Sequence, residues 1–235
     1  MPLSTRLRVI VSLCKSGSTA LIHSLSHAPG VTCYLQTVKS GQRTTGRPDY
    51  GLFYQAHAGV AIAKETIGHS TPADCRLAVF PSDAAIVATR PLFLFRDPAD
   101  TWSSWSRAGW GSLDSFTAAY AHLLDLHQRA RRFGAASAIR FEAFGRDREA
   151  AFRRICRILE IPFTAEMLDW RLHFPDESPV IWRPDVQRDI EGGHADSVGR
   201  ATGFVYRETA VPAPSREIDV VNRLFRARYE ALQEP

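Results

Sequence analysis

The chain has 235 residues, enough to bury a full core in one domain or one domain with a lobe. A hydrophobic content of 45% and a charged content of 23% are those of an ordinary globular protein, and runs such as Val9–Leu13 and Pro91–Phe95 are far too short to span a bilayer. The net charge of +4 is spread along the chain, which argues against a nucleic-acid-binding stripe and favours a small anionic ligand.

From the N-terminus, Arg6–Leu13 reads as a buried strand rather than a signal peptide, and Ser18–His27 as the helix after it. Val31–Leu35 is expected to be a short strand. Gln36–Tyr50, polar and without periodicity, is expected to be a loop. Val60–Lys64, Pro91–Phe95 and Ser137–Phe141 are three more apolar runs at strand length. Pro98–Arg107 follows an Asp97-Pro98 helix start. Leu113–Phe133, Asp147–Glu160 and Ser215–Gln233 carry apolar residues at helical spacing. Strands alternating with helices predict an α/β fold with a parallel, helix-covered sheet. Pro175–Gly203 is rich in Pro, Gly, Asp and Trp and reads as a long surface excursion. Cys14, Cys33, Cys75 and Cys156 form no CxxC pair and no metal spacing, so a reduced, cytoplasmic protein is expected. Nearly all basic residues are arginine; the lysines are Lys15, Lys39 and Lys64.

Two stretches carry chemistry. The turn Cys14–Thr19 sits beyond the carboxyl end of the first strand, where ligands bind in open α/β sheets. Gly17 permits close backbone approach, and the first helical amides and the helix dipole favour an anion. Ser16, Ser18 and Thr19 add hydroxyls, and Lys15 adds a charge. The bland reading is a plain strand–helix turn capped by serine. A GxxxxGK[ST] loop places its lysine after the glycine; here Lys15 precedes Gly17, which argues against a P-loop small-molecule kinase. In "PLFLFRDPADTWSSW", Arg96 lies at the same edge of the sheet and Ser104 follows eight residues later. A guanidinium and a hydroxyl so spaced suit a second phosphate; the alternative is Arg96 paired with Asp97 or Asp100.

Together these motifs make the chain resemble the sulfotransferases that use 3′-phosphoadenosine-5′-phosphosulfate (PAPS). Lys15-Ser16-Gly17-Ser18-Thr19 matches the family loop that holds the 5′-phosphosulfate, and Arg96-Asp97-Pro98 with Ser104 matches the motif that holds the 3′-phosphate. The resemblance implies a sulfotransferase fold, a P-loop-NTPase-like parallel sheet flanked by helices. It implies one such domain over residues 1–235, with Pro175–Gly203 covering cofactor and substrate. "ADSVGRATGF" resembles the late loop that closes over the cofactor, with Ser197, Gly199, Arg200, Thr202 and Gly203 as contacts. The implied reaction moves a sulfonyl group to a hydroxyl or amine of a small-molecule acceptor, releasing adenosine 3′,5′-bisphosphate (PAP). No metal, nucleic acid or membrane is implied, and oligomeric state is left open. Lys15 is expected to offset charge on the departing oxygen. Lys64, in "AIAKETIGHS", matches a second lysine at the reaction centre.

The sequence departs from the family twice. Ala20 stands where many members carry an adenine-stacking tryptophan, so another aromatic such as Phe204 must stack. Thr66 stands where a histidine base is often found, leaving Glu65 first and His69 second as base. These departures keep a non-catalytic PAP(S)-binding protein open. The acceptor pocket is expected from Gln36–His57, the Trp102/Trp105/Trp110 region and Pro175–Trp182, with Tyr34, Tyr50, Phe53, Tyr54 and Trp182 as walls and His57 and His194 as polar members. His23 and His27, four apart on one helix, have no evident third metal ligand.

Overall fold

A computed structural model describes residues 2–69, 71–191, 196–206 and 215–232, with the backbone alone at 196 and 197. Five strands form one parallel sheet: β1 (Leu7–Leu13), β2 (Val31–Leu35), β3 (Val60–Ile67), β4 (Leu92–Phe95) and β5 (Ser137–Arg140), in the order β2-β3-β1-β4-β5. Between them run α1 (Ser18–Leu25), α2 (Thr37–Thr45), α3 (Gly51–Tyr54), α4 (Pro72–Cys75), α5 (Asp83–Thr89), α6 (Pro98–Arg107) and α7 (Leu113–Arg132). After β5 come α8 (Ala143–Arg146), α9 (Arg148–Leu159), α10 (Pro184–Asp189), α11 (Asp196–Gly199) and α12 (Arg216–Glu230).

Strand alternation sorts the core into two layers. Val9, Val11, Phe93 and Phe95 face α7 and α12, meeting Phe116, Tyr120, Leu123 and Phe225. Ile10, Ile62, Leu92 and Leu94 face α1 and α9, meeting Leu21, Ile22, Phe152 and Ile155. Side-chain caps start several helices: Ser112 on α7, Asp147 on α9 and Ser215 on α12 accept from backbone amides three residues on.

Two expectations are corrected. Residues 37–45 are helix, not loop. The Glu65 carboxylate accepts from the Val38 and Lys39 amides at 2.9 and 3.1 Å, so a partner distant in sequence caps α2. β3 runs to Ile67 rather than stopping at Lys64, because its last residues stay paired with β1 through Leu13. The surface excursion is docked over its described residues 178–190. Ile181 exchanges backbone hydrogen bonds with the β2 edge, giving to Cys33 O and receiving from Leu35 N, both at 2.8 Å. Ser40 then bonds Asp185, Arg43 pairs with Asp189 at 2.7 Å, and Arg183 pairs with Asp49, so α10 lies against α2. Among the described residues no helix is long and apolar enough to cross a membrane.

Candidate active site

β1 delivers the chain into a turn that only certain backbones can make. Lys15 has φ 68° and Gly17 φ 81°, both left-handed. A Cβ on Gly17 would also lie 2.2 Å from the Phe141 ring, so glycine is required twice over. The Ser16 hydroxyl, buried, donates back to Leu13 O at 2.6 Å and staples the turn. Trp105 Nε1 donates to Cys14 O at 2.8 Å from α6. The turn is thus rigid before any ligand arrives.

β4 delivers Arg96 to the same place. Its Nη1 donates to Lys15 O at 2.8 Å and reaches Ser104 Oγ at 3.5 Å. The guanidinium lies 5.4 Å from the Phe141 ring centre. Asp97 does not compete for Arg96: one oxygen accepts from the Ala99 and Asp100 amides at 2.9 and 3.1 Å, and the other pairs with Arg226 of α12 at 2.6 Å. The lysine turn and the arginine corner are therefore one stitched unit.

Both open onto a cavity of about 620 Å³. Lys15, Gly17, Ser18 and Thr19 line it from the turn, and Arg96, Ser104 and Arg107 from the corner. All three lysines of the chain line it, joined by Arg43. Lys64, 1% exposed, places Nζ 3.4 Å from Thr19 Oγ1. Burial lowers its pKa to about 8, with Cys14 and Glu65 opposing and Lys39 adding to the shift. Burial also lowers Lys15, whose ammonium sits 4.3 Å over the Trp110 ring, with Cys14 opposing. Lys39, fully buried, donates to Gly68 O and lies 4.0 Å from Asp74. The Thr66 hydroxyl is buried without a partner among the described residues and lines the same space. Asp189 is the one carboxylate among the described lining residues. Such a lining stabilises anions.

Lys64 and Glu65 point to opposite faces, because β3 is still a strand there. Lys64 lines the cavity; Glu65, the first base candidate, does not, and both of its oxygens cap α2. Burial raises Glu65 to about 7, the two backbone hydrogen bonds and the nearby lysines opposing. His69, the second candidate, does line the cavity. It sits edge-on to Trp110, ring centres 4.2 Å apart.

Of the late-loop residues, Gly203 lines the cavity together with Ala201 and Phe204, whereas Gly199, Arg200 and Thr202 do not. Arg200 and Thr202 are exposed, and the Thr202 carbonyl instead accepts from Trp170 N at 2.8 Å. The Ser197 side chain and all of His194 lie outside the described residues. Ser16 also stays out of the lining, its hydroxyl spent on the turn. Phe204 packs on Phe144 and Phe152 with 1% of its surface exposed. Trp170 lines the cavity with Ala20; its Nε1 donates to Ser24 Oγ at 2.8 Å, one turn along α1 from Ala20.

The expected aromatic acceptor walls are elsewhere. Phe53, Trp102 and Trp105 are core, Tyr34, Tyr50 and Tyr54 pack against that core, and His57 bonds Leu52 O at 3.1 Å. Trp182 is half-buried outside the lining; Trp110 remains. His23 is a tie between α1 and the excursion, meeting Ser178 Oγ at 2.9 Å and Leu172 O at 3.0 Å. Sequence reasoning missed Lys39, Arg43, Arg107, Trp170 and Asp189. The scarcity of lysine was a usable signal for Lys39.

With the geometry in hand, comparison with known proteins identifies the fold. The chain is similar in structure to the sulfotransferase domain from the curacin biosynthetic pathway, with TM-score 0.51, 14% identity and 100% of both chains covered. The chain therefore has the sulfotransferase fold. Weaker likenesses, which add nothing to that assignment, are to the sulfotransferase domain from the Synechococcus PCC 7002 olefin synthase and to mouse sulfotransferase SULT7A1 complexed with PAP. The first has TM-score 0.47 and 14% identity over 100% and 96% of the two chains. The second has 0.48 and 12% over 98% and 91%. No family model matches the chain, and no curated protein sequence matches it.

Proposed function

We propose that the protein is a PAPS-dependent sulfotransferase acting on a small-molecule hydroxyl or amine. The observation that carries this reading is the stitched unit: Arg96 Nη1 bonded to Lys15 O, with both anion corners on one cavity. A ligand with phosphates at both ends of one nucleoside suits two such corners. The residues fit it: Gly17 lines the cavity within the fixed turn, Thr66 Oγ1 lacks a partner among the described residues, and among the described lining residues six cationic side chains stand against Asp189.

When bound, PAPS supplies the sulfonyl group and leaves as PAP. The roles of the chain's own residues are those that the motif resemblance implies, and their placement around one cavity supports them. Lys15, Ser18 and Thr19 hold the 5′ end, and the rigid turn fixes them without reorganisation. Arg96 and Ser104 hold the 3′-phosphate. Lys15 and Lys64 stand as ammonium groups in a buried site, where they offset negative charge more strongly than in water. Gly203 and Ala201 close the nucleotide end. Of the two proton-handling candidates, only His69 faces this space. Leu35, Gln36, Val186 and Ile190, which line the cavity and belong to or flank the stretches expected around the acceptor, are the residues we assign to the acceptor end.

PAP should raise the melting temperature clearly, by mass action, and ATP with magnesium should do much less. Lys15→Ala and Arg96→Ala should each abolish the PAP response. Turnover of labelled PAPS over an acceptor library separates an enzyme from a non-catalytic binder. Equal responses to PAP and ATP would overturn the reading.

A further inference from the structure

The histidine that faces the cavity is fixed by a guanidinium, and that decides which of its nitrogens carries the proton. β3 is followed by two residues of positive φ, Gly68 at 88° and His69 at 116°. The turn is pinned from three sides: Gly68 N donates to Asp74 O at 2.8 Å, and Gly68 O accepts from Lys39 Nζ and from Cys14 Sγ, the latter at 3.3 Å. The His69 ring then places Nδ1 3.3 Å from Arg43 Nη2.

Arginine has donors and no acceptor, and it stays charged. Nδ1 must therefore be the acceptor, and the one ring proton of a neutral imidazole sits on Nε2. Arg43 is anchored in turn: Nη1 to Asp189 Oδ2 at 2.7 Å and Nη2 to Asp74 Oδ2 at 3.3 Å, with the Asp74 side chain 1% exposed. A histidine base needs the opposite tautomer, with a bare Nε2.

Resting on the sulfotransferase reading, we infer that Arg43 is a positioning residue that presents His69 to the cavity as an Nε2–H donor to an anionic oxygen, and not as the base for the acceptor. The interaction is a hydrogen bond and transfers no proton.

Two measurements test this. In ¹⁵N-labelled protein at pH 7.5, a ring ¹H–¹⁵N correlation spectrum should show His69 protonated at Nε2 and bare at Nδ1, its signals identified by their loss in His69→Gln. Arg43→Gln should shift His69 toward a mixture of tautomers. A proton on Nδ1 in the wild type would overturn the inference. In PAPS turnover, His69→Gln, whose amide N–H falls near the Nε2 position but cannot take up a proton, should stay within about tenfold of wild type. His69→Ala should lose about a hundredfold, the usual cost of one preorganised donor. Equal loss in both variants, with PAP binding intact, contradicts the donor role. The spectrum needs no turnover, so a chain that fails to bind PAP sinks the sulfotransferase reading while the tautomer is still decided.

Discussion

Lys64 and Glu65 are neighbours in sequence with opposite surroundings, and their titrations should tell them apart. Burial holds Lys64 near 8, below its ordinary value. Anion binding that needs its ammonium should therefore weaken as pH rises through about 8. The PAP-induced gain in melting temperature should shrink between pH 7 and 9, and much less in Lys64→Arg, whose guanidinium stays charged. A flat wild-type profile contradicts a role for Lys64 in binding. For stability the signs oppose. Lys64, with its folded value lowered from 10.5, makes the protein more stable as pH rises from about 8 to 10.5. Glu65, raised from 4.5 to about 7, makes it less stable as pH rises across that window. Removing Glu65 leaves two buried amides of α2 without an acceptor. Glu65→Ala should cost about 2 kcal/mol and lower the melting temperature by roughly 4–8 °C. The variant should still respond to PAP. Lost turnover at unchanged stability would instead mark Glu65 as catalytic.

At the scale of elements, the strongly periodic segments were legible and the tertiary ones were not. β1, α1, β4, α6, α7 and α9 follow the apolar spacing to within a residue or two. The stretch "QTVKSGQRTT" has no helical stripe and poor propensity; it is helix because Glu65 caps it and β3 packs beneath it. Lys39 and Arg43 were missed for the same reason: a residue cannot be placed in a cavity until its element is known. The docked excursion was also invisible, since its ties are made across more than a hundred residues: the burial of Val180, Val186 and Ile190, the Ile181 pairing with β2, and polar contacts such as Ser40–Asp185 and Arg43–Asp189. Each of these polar contacts is worth roughly 1 kcal/mol or less. Asp185→Ala combined with Asp189→Ala should therefore raise proteolytic cleavage within residues 175–190 by roughly fivefold or more, read by limited proteolysis with mass detection. Unchanged cleavage would mean that the Ile181 bonds, the Arg183–Asp49 pair and the buried Val180, Val186 and Ile190 suffice to hold the segment.

On the scale of the molecule, the sheet order β2-β3-β1-β4-β5 puts the ends of β1, β3 and β4 side by side. That adjacency brings Lys15, Lys64 and Arg96 to one cavity from positions 81 residues apart at the extremes. The motifs themselves could be read in the sequence because each lies where a strand gives way to a helix or a turn. The Trp170–Ala20 wall could not, because it joins α1 to a segment far along the chain. The central claim is that one nucleotide touches both corners. Calorimetric titration of wild type and Arg96→Ala with PAP and with adenosine 5′-monophosphate tests it directly. Wild type should prefer PAP by about tenfold to a hundredfold, the worth of charge-assisted hydrogen bonds to one phosphate, and Arg96→Ala should lose most of that preference. Equal discrimination in the two proteins would contradict it.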